Sequence, residues 1–183
     1  LTRDIAGRFN HLYAAEKPVL KLPEPLILAE GARVMSLTDG TKKMSKSDPT
    51  DLSRINLLDS PELIQKKIKK CKTDLERGLT FEAIDRPECR NLLTLYMLTS
   101  GKSKETVTNE CQDLSWGQFK PLLAEATIEH LRPIQAKYQE VMTDKTYLES
   151  ILQSGRDRAA TIADRTLAEV KAALGFAKRA GSK

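Results

Sequence analysis

A short polar stretch, residues 40–49, carries the side chains of this sequence that are best suited to binding chemistry. They are Lys42, Lys43, Ser45, Lys46 and Ser47. Ammonium and hydroxyl groups both donate hydrogen bonds to oxyanions, and the lysines add positive charge. Asp39-Gly40 opens the stretch and Asp48-Pro49 closes it, and both pairs are typical of tight turns. The pattern predicts a loop that holds an anion; the alternative is a basic turn that contacts only solvent.

Two upstream elements are expected to position this loop. Apolar residues at helical spacing predict an amphipathic helix that ends near Glu16; they are Leu1, Ile5, Phe9, Leu12 and Tyr13. Three prolines between residues 17 and 25 exclude a regular helix there. Residues 33–37 alternate like a strand and lead into the Asp39-Gly40 turn. A helix, a strand and then a phosphate loop fit the rim of an α/β nucleotide-binding fold, where ligands bind beyond the carboxyl ends of strands.

After Asp59 the sequence predicts helices only. Capping residues Ser60 and Ser103 favour helices over residues 61–71 and 104–111, and an apolar segment predicts a helix over 88–99. An apolar stripe predicts a helix over 118–142, kinked or broken just before Pro133. Thr143 or Asp144 is expected to cap a helix that ends near Gly155. A last helix, 159–174, is expected to stop at Gly175.

One lysine of the first of these helices lies on its apolar face. On a helical wheel, Lys67 falls inside the apolar face formed by Leu63, Ile64, Ile68 and Cys71, whereas Lys66, Lys69, Lys70 and Lys72 flank that face. Two interpretations stay open. Lys67 snorkels along its apolar neighbours to reach water, or it points into an interdomain or RNA-facing cleft.

Composition limits the class of protein. The 183 residues are 40% apolar and 30% charged, and no apolar run approaches the eighteen or so residues that span a bilayer. The net charge is +5, and the excess collects in residues 60–77, with six Lys/Arg against three Asp/Glu, and in 155–183, with seven against three. Such segments suit a polyanionic partner. The three cysteines fit neither a disulfide framework nor a zinc site, so we expect reduced thiols in the cytoplasm.

No set of side chains predicts a protein-ligated metal or another catalytic motif. His11 and His130 have no second His or Cys at ligand spacing. Neither a glycine-rich phosphate loop nor a nucleophile elbow is present in the sequence.

The lysine stretch carries a family resemblance. Lys43-Met44-Ser45-Lys46-Ser47 matches the signature loop of the class I aminoacyl-tRNA synthetases, and the rest of the chain resembles the C-terminal half of bacterial-type tryptophanyl-tRNA synthetases. The similarity also rests on residues 1–5 with 8–10, on 32–37, on 66–69 with 73–74, and on 131–135. Thr50 stands where many relatives have Asn, which is also small and polar. The bacterial tyrosyl enzymes are the nearest alternative.

The resemblance implies a set of ATP contacts and a partner. Lys43 and Lys46 are the expected catalytic cations, and the expected ATP-binding residues are Val34, Lys43, Met44, Ser45, Lys46 and Ser47. It further implies that the intact enzyme, a cytoplasmic homodimer, uses ATP with Mg²⁺ to activate L-tryptophan and charges tRNA(Trp). The basic segments then suggest Lys66, Lys69, Lys70, Arg156 and Arg158 as tRNA-binding residues.

The resemblance also implies a domain division. The fold is expected to be mainly α: residues 1–50 form the C-terminal remnant of a Rossmann-like α/β domain with the lysine loop at 40–49, and 51–183 form a helical, anticodon-binding-type domain. The chain is expected to begin at a cut, with the tryptophan pocket before Leu1, so the fragment alone is predicted to be inactive. A non-catalytic tRNA-binding module and a helical protein-interaction domain remain as other classes of function.

Overall fold

The computed structural model describes residues 1–28 and 30–177, and most of them are helical. The described residues form α1 (Thr2–Tyr13), α2 (Pro61–Lys70), α3 (Pro87–Ser100), α4 (Lys104–Cys111), α5 (Trp116–Thr143) and α6 (Lys145–Ala173), with a 3₁₀ helix at Asp51–Ser53. The prediction of a mainly α chain is confirmed. None of these helices combines the length and the apolar character that a membrane span requires.

The predicted helix starts are confirmed by their caps. Ser60 Oγ accepts a hydrogen bond from Leu63 N at 3.3 Å, and Ser103 Oγ accepts one from Thr106 N at 3.2 Å. Asp144 Oδ1 accepts from Tyr147 N at 2.9 Å. Each bond satisfies one of the backbone N–H groups that a helix leaves without a partner in its first turn.

Two predicted helix breaks are wrong, the one before Pro133 and the one near Gly155. A kink of α5 at Pro133, the other form of that prediction, stays a prediction. α5 continues through Pro133, and α6 continues through Gly155. A proline inside a helix removes one hydrogen bond, but here the flanks are held on both sides: Leu131 is buried in the core, and Gln135 Nε2 donates to Leu57 O and Asp59 O. A glycine costs a helix only about 1 kcal/mol relative to alanine, which is too little to end one.

The strand predicted at residues 33–37 reduces to a single antiparallel bridge between Met35 and Lys43. Both backbone groups of Met35 are already occupied by the side chain of Asn91, and Leu37 N donates to Ser53 O at 2.9 Å. Because these groups have partners outside any neighbouring strand, no ladder forms along the segment.

The described chain divides into two compact units. One contains residues 1–26 together with the described residues from Val141 onward, and the other contains residues 27–140. The hydrophobic core belongs to the second unit; its fully buried side chains include Leu37, Ile64, Leu93, Val107 and Phe119. The predicted domain boundary after residue 50 lies inside that unit, and as a division of the intact protein it stays a prediction.

In the first unit, α1 is tied to the segment that follows it. Asn10 is buried; its Oδ1 accepts from Val19 N and Leu20 N, and its Nδ2 donates to Leu20 O. No side chain of α6 is buried. Packing in this unit is therefore much sparser than in the second.

Lys67 follows neither interpretation that the sequence leaves open. Its side chain is 0% exposed, so it neither snorkels to water nor faces a cleft. Its ammonium lies 2.6 Å from Asp59 Oδ2 and 2.7 Å from Asp51 Oδ2. The two carboxylates supply the compensation that a buried charge requires.

Candidate functional site

The lysine loop folds back on the segment that precedes it. Ser36 N donates to Lys42 O at 2.8 Å, and Met44 N donates to Val34 O at 2.9 Å. The side chain of Met44 packs against the hydrophobic core, whereas those of the lysines on either side of it are exposed. The loop is therefore anchored by its backbone and one methionine while it presents its cations outward.

The first turn of the loop is built around Asp39. Its Oδ1 accepts hydrogen bonds from Thr41 Oγ1 at 2.6 Å and Thr41 N at 3.1 Å, and its Oδ2 lies 3.1 Å from the ammonium of Lys42. These hydrogen bonds, that from the Thr41 hydroxyl first, lower the pKa of Asp39 to about 2. Lys42 is consequently engaged within the turn.

Helix α3 supports the loop from beneath. Asn91 Oδ1 accepts from Met35 N at 2.9 Å and Asn91 Nδ2 donates to Met35 O at 3.0 Å. Gly40 N donates to Glu88 Oε1 at 3.3 Å, and a Cβ at Gly40 would lie 2.6 Å from Glu88 N. A side chain at position 40 is therefore excluded by the close approach of the first turn of α3.

Sequence reasoning missed both of these supports. Asn91 lies 56 residues from Met35, and Glu88 lies 48 residues from Gly40, so neither contact is local. The available signal was a polar residue, Asn91, immediately before the apolar run that begins at Leu92. Such a side chain is buried only where it finds hydrogen-bond partners.

The end of the loop is fixed by short-range polar contacts. Ser45 Oγ accepts from Ser47 N at 3.2 Å, and Asp48 Oδ1 accepts from Thr50 N at 2.8 Å. Arg54 Nη1 donates to Asp48 O at 2.9 Å. These bonds hold the chain as it turns from the loop into the 3₁₀ helix.

A cavity of about 510 Å³ opens beside the loop. Its lining residues are Gly31, Ala32, Val34, Lys43, Met44, Ser45, Lys46, Arg54, Ile55, Asn56 and Leu57. Five of the six residues predicted to bind ATP are thus brought together. The sixth, Ser47, is not in the lining; its backbone N–H bonds to Ser45 Oγ instead.

The cavity combines free cations with an apolar wall. Within the described part of the chain, neither Lys43 nor Lys46 is paired with a carboxylate, in contrast to Lys42. Val34 and Ile55 contribute apolar surface to the same cavity. The arrangement suits a ligand with an anionic end and a flat apolar part, because unpaired ammonium groups bind oxyanions and apolar side chains cover a ring.

The second wall of the cavity was not predicted. Arg54, Ile55, Asn56 and Leu57 all line it, and they follow the loop by only a few residues. The guanidinium of Arg54 is largely buried and lies 3.1 Å from Asp51 Oδ1. Arg54 therefore links the loop to the 3₁₀ helix, and its charge is paired with Asp51, unlike those of Lys43 and Lys46.

The residues suggested for tRNA binding lie in both units. Lys66, Lys69 and Lys70 are exposed on α2, in the unit of the lysine loop. Arg156 and Arg158 are exposed on α6, in the other unit, and Arg156 pairs with the adjacent Asp157 at 3.1 Å. Their function stays a prediction.

The described residues contain no group of three or more His, Cys, Asp or Glu side chains that could hold a metal ion. The three cysteines are buried free thiols. Burial raises the pKa of the Cys111 thiol to about 11, which keeps it protonated and unreactive at neutral pH.

Comparison with known proteins agrees with this geometry. A family model described as tRNA synthetases class I (W and Y) matches residues 1–132. A tryptophan–tRNA ligase of Nostoc sp. is 68% identical over 176 residues, which cover 96% of this chain and 52% of the relative. A chloroplastic/mitochondrial tryptophan–tRNA ligase of Arabidopsis thaliana is 55% identical over 188 residues, which cover 98% of this chain and 46% of that relative. The chain spans about half the length of the curated relatives it matches.

Solved structures give the same result. The crystal structure of tryptophanyl-tRNA synthetase from Mycoplasma pneumoniae matches with a TM-score of 0.81 and 28% identity, over 96% of this chain and 52% of that one. The Campylobacter jejuni enzyme, complexed with ADP and tryptophan, matches with a TM-score of 0.63 and 25% identity, over 95% and 52%. Since the family model covers more than half of the 183 residues, the chain belongs to the class I tRNA synthetases of the tryptophan and tyrosine group.

Proposed function

We propose that the intact protein is a tryptophan–tRNA ligase and that this chain supplies its lysine loop and its helical tRNA-binding region. The observation that carries the proposal is the cavity in which unpaired Lys43 and Lys46 lie beside Val34 and Met44. The similar proteins of Nostoc and Arabidopsis are named tryptophan–tRNA ligases, which favours tryptophan over tyrosine.

The proposed reaction joins tryptophan to ATP. A carboxylate oxygen of tryptophan bonds to the α-phosphorus of ATP, and the bond from that phosphorus to the bridging oxygen breaks, so pyrophosphate leaves with the electron pair. Negative charge therefore grows on the leaving group. Preorganised cations stabilise such charge most effectively, because they need no rearrangement as the reaction proceeds.

Lys46 and Lys43 take that role in the proposal. Their exposed ammonium groups border the cavity, whereas Met44 and the loop backbone are fixed. Val34 and Met44 cover the adenine ring, and the hydroxyl of Ser45 donates a hydrogen bond to phosphate. Ser47 does not line the cavity, but its side chain is exposed, and in the proposal its hydroxyl contacts phosphate from outside the cavity. Mg²⁺ enters as the counter-ion of ATP and neutralises part of the phosphate charge.

A hydroxyl oxygen of the terminal ribose of tRNA(Trp) then bonds to the carbonyl carbon of the adenylate, the bond from that carbon to the phosphate oxygen breaks, and AMP leaves. Basic side chains of α2, and separately those of α6, contact phosphates of the tRNA. We further infer a cytoplasmic homodimer. Buried, unpaired thiols suit a reducing compartment.

The test is tryptophan-dependent exchange of pyrophosphate into ATP by the intact protein. Lys46→Ala should lower the rate of adenylate formation about a hundredfold, as expected for one preorganised charge donor, while tryptophan binding changes little. Lys42→Ala is the matched control: it removes an ammonium from the same loop, but one that is paired with Asp39 and lies outside the cavity.

Two results would contradict the proposal. An unchanged rate of adenylate formation in the Lys46→Ala protein would show that Lys46 does not take part in the reaction. Exchange that depends on tyrosine rather than tryptophan would leave the role of the lysine loop intact but change the proposed substrate to tyrosine, since the family includes both specificities.

A further inference from the structure

The most deeply buried charge of the second unit belongs to a side chain outside the cavity. Lys67 is fully buried on α2, and its ammonium reaches Asp51 Oδ2 at 2.7 Å and Asp59 Oδ2 at 2.6 Å. A buried ion pair adds little stability compared with apolar packing, because both charges lose their hydration. Its value lies in the geometry that it imposes on the groups it joins.

Asp51 and Asp59 lie on either side, in sequence, of the segment that forms one wall of the cavity. Asp51 begins the 3₁₀ helix and Asp59 ends the connection to α2, and residues 54–57 between them line the cavity. Asn56 connects the two aspartates, since its Nδ2 donates to Asp51 Oδ1 and to Asp59 Oδ1, each at 3.1 Å. One lysine thus holds both ends of the segment that faces the ligand space.

The same contacts continue to the lysine loop. Asp51 Oδ1 lies 3.1 Å from Arg54 Nη2, and Arg54 Nη1 donates to the carbonyl oxygen of Asp48 at 2.9 Å. Asp48 is the ninth residue of the ten-residue loop. A continuous path of ion pairs and hydrogen bonds therefore runs from the buried ammonium of Lys67 to the end of the loop that carries Lys46.

Both carboxylates are ionised in this network. A hydrogen bond from Lys67, and then one from Asn56, lowers the pKa of Asp51. Burial acts to raise the pKa of Asp59, but the hydrogen bonds from Lys67 and Asn56 outweigh it and the pKa is lowered. On the opposite side Gln135 of α5 donates to Leu57 O and Asp59 O, so two helices fix the segment.

We propose that Lys67 is a positioning residue: through Asp51 and Arg54 it holds the C-terminal end of the lysine loop and the facing wall of the cavity in the arrangement needed for adenylate formation. Lys67 itself touches neither the cavity nor its ligand. The inference rests on the proposed function of the loop. It assigns to a buried side chain of the helical region a role in the chemistry of the ATP site.

The decisive variant is Asp51→Asn in the intact protein. Half of the Asp51 side chain is exposed, and Lys67 keeps Asp59, so no charge is left buried without a partner and the fold should persist. We expect the rate of adenylate formation at saturating ATP to fall about tenfold, since small displacements of catalytic groups cost one to two orders of magnitude. Tryptophan affinity should be unchanged. Asp113→Asn, an exposed acidic residue before α5, is the control.

A double-substitution cycle separates positioning from general destabilisation. If Asp51 acts through the loop, Asp51→Asn should cost the Lys46→Ala protein much less than tenfold, because the group it positions is already absent. Hydrogen exchange should be faster at residues 45–54 in Asp51→Asn and unchanged in α3. The double variant Lys67→Met/Asp59→Asn removes one positive and one negative charge, so the net charge is unchanged. If its circular dichroism spectrum is native, its rate of adenylate formation should fall as in Asp51→Asn. Lys104→Met is the control for the loss of a lysine.

The outcomes are distinguishable. Full activity of Asp51→Asn, or a tenfold loss that is also seen in the Lys46→Ala background, overturns the positioning role and leaves the loop assignment standing. An unchanged rate of adenylate formation in the Lys46→Ala protein overturns the proposed function itself, and with it the inference that rests on it. If Lys67→Met/Asp59→Asn does not fold, Asp51→Asn alone decides.

Discussion

Three lysines of one loop differ in what their surroundings allow them to do. Lys42 is paired with Asp39, whereas Lys43 and Lys46 border the cavity with no carboxylate partner among the described residues. An ammonium that is already neutralised contributes little to binding an anion, and an unpaired one contributes its full charge. The chemical difference between identical side chains is set by a single aspartate at the start of the loop.

That aspartate gives a prediction about acid. The pKa of Asp39 is lowered from 3.8 to about 2, first by the hydrogen bond from the Thr41 hydroxyl. Because folding lowers this pKa, ionised Asp39 stabilises the folded state at every pH above the unfolded value of about 4. The contribution is lost as the pH falls from about 4 through about 2. A carboxyl NMR titration should place the midpoint of Asp39 at about 2.

Thr41→Val is the test of the cause. Valine keeps the branched shape and removes the hydroxyl, so the midpoint of Asp39 should rise towards its ordinary value. Thr50→Val, which removes a hydroxyl that is not bonded to Asp39, should leave the midpoint unchanged. A midpoint near 4 in the unsubstituted protein would show that Thr41 and Lys42 do not hold this turn in solution.

At the scale of single residues, the sequence predicts the cations but not their supports. Lys43, Met44 and Lys46 belong to one contiguous motif and Val34 is expected from the family resemblance, and the structure places all four around one cavity. Asn91 contacts Met35 across 56 residues, and no local pattern encodes such a pairing. The ion pairs of Lys67 could not be predicted from the sequence either. Its partners, Asp51 and Asp59, precede α2, and only the folded chain brings them to its ammonium.

At the scale of elements, capping residues predict the helix starts, whereas breakers predict only some of the helix ends. Gly101 and Gly175 adopt a left-handed φ just after α3 and α6, and the predicted stop at Gly175 is confirmed. Ser60, Ser103 and Asp144 each form the expected bond to the backbone. Pro133 and Gly155 do not end their helices. A capping residue acts on its own first turn. A proline or glycine ends a helix only where tertiary contacts or side-chain hydrogen bonds do not offset its destabilising effect. Across Gly155, the Nε2 of Gln153 donates to the carboxylate of Asp157 at 3.0 Å and 3.1 Å.

The glycine inside α6 gives a stability prediction. A Cβ at Gly155 would meet nothing within 4 Å, and the position is in the helix interior. Gly155→Ala should therefore raise the free energy of unfolding by about 0.5–1 kcal/mol, since alanine loses less backbone entropy on folding. Urea unfolding followed by helical circular dichroism measures the change.

The reciprocal variant in the same helix is Ala159→Gly. Its side chain is also exposed, so it should lower the free energy of unfolding by a similar amount. If Gly155→Ala instead destabilises the protein, the helix must be interrupted at residue 155 in solution.

The exposed face of α2 gives a binding prediction. Lys66, Lys69 and Lys70 point to solvent, while Lys67 of the same helix is buried and paired. The triple variant Lys66→Ala/Lys69→Ala/Lys70→Ala should bind tRNA more weakly and with a flatter dependence on salt. The slope of log K against log salt should fall by about 2 to 3, because each phosphate contact releases roughly one counterion.

The matched control is Lys104→Ala on α4, which removes an exposed lysine paired with Glu82. Fluorescence titrations in rising salt give the slopes. An unchanged slope in the triple variant, with native helical content, removes α2 from the RNA interface.

At the scale of the whole molecule, the two units differ in how strongly they are packed. The buried hydrophobic cluster lies within residues 27–140, and it includes Leu37, just before the lysine loop. The start of that unit is nevertheless poorly covered, since Ile27 and Leu28 are 77% and 64% exposed. Apolar side chains of this kind are commonly covered by further protein surface.

The chain covers about half of its relatives, and this leads to the last prediction. In the proposed function, the groups that orient ATP and the tryptophan carboxylate belong to the part of the relatives that this chain does not cover, and the lysine loop supplies charge. Because in-line attack depends on holding both reactants, the isolated chain should give no tryptophan-dependent exchange of pyrophosphate into ATP, even though its loop is supported by α3 and by the Lys67 network. The intact protein, assayed in parallel, should be active. Measurable turnover by the isolated chain would mean that residues 1–183 hold a complete activation site, and the orienting groups must then be sought around the cavity itself.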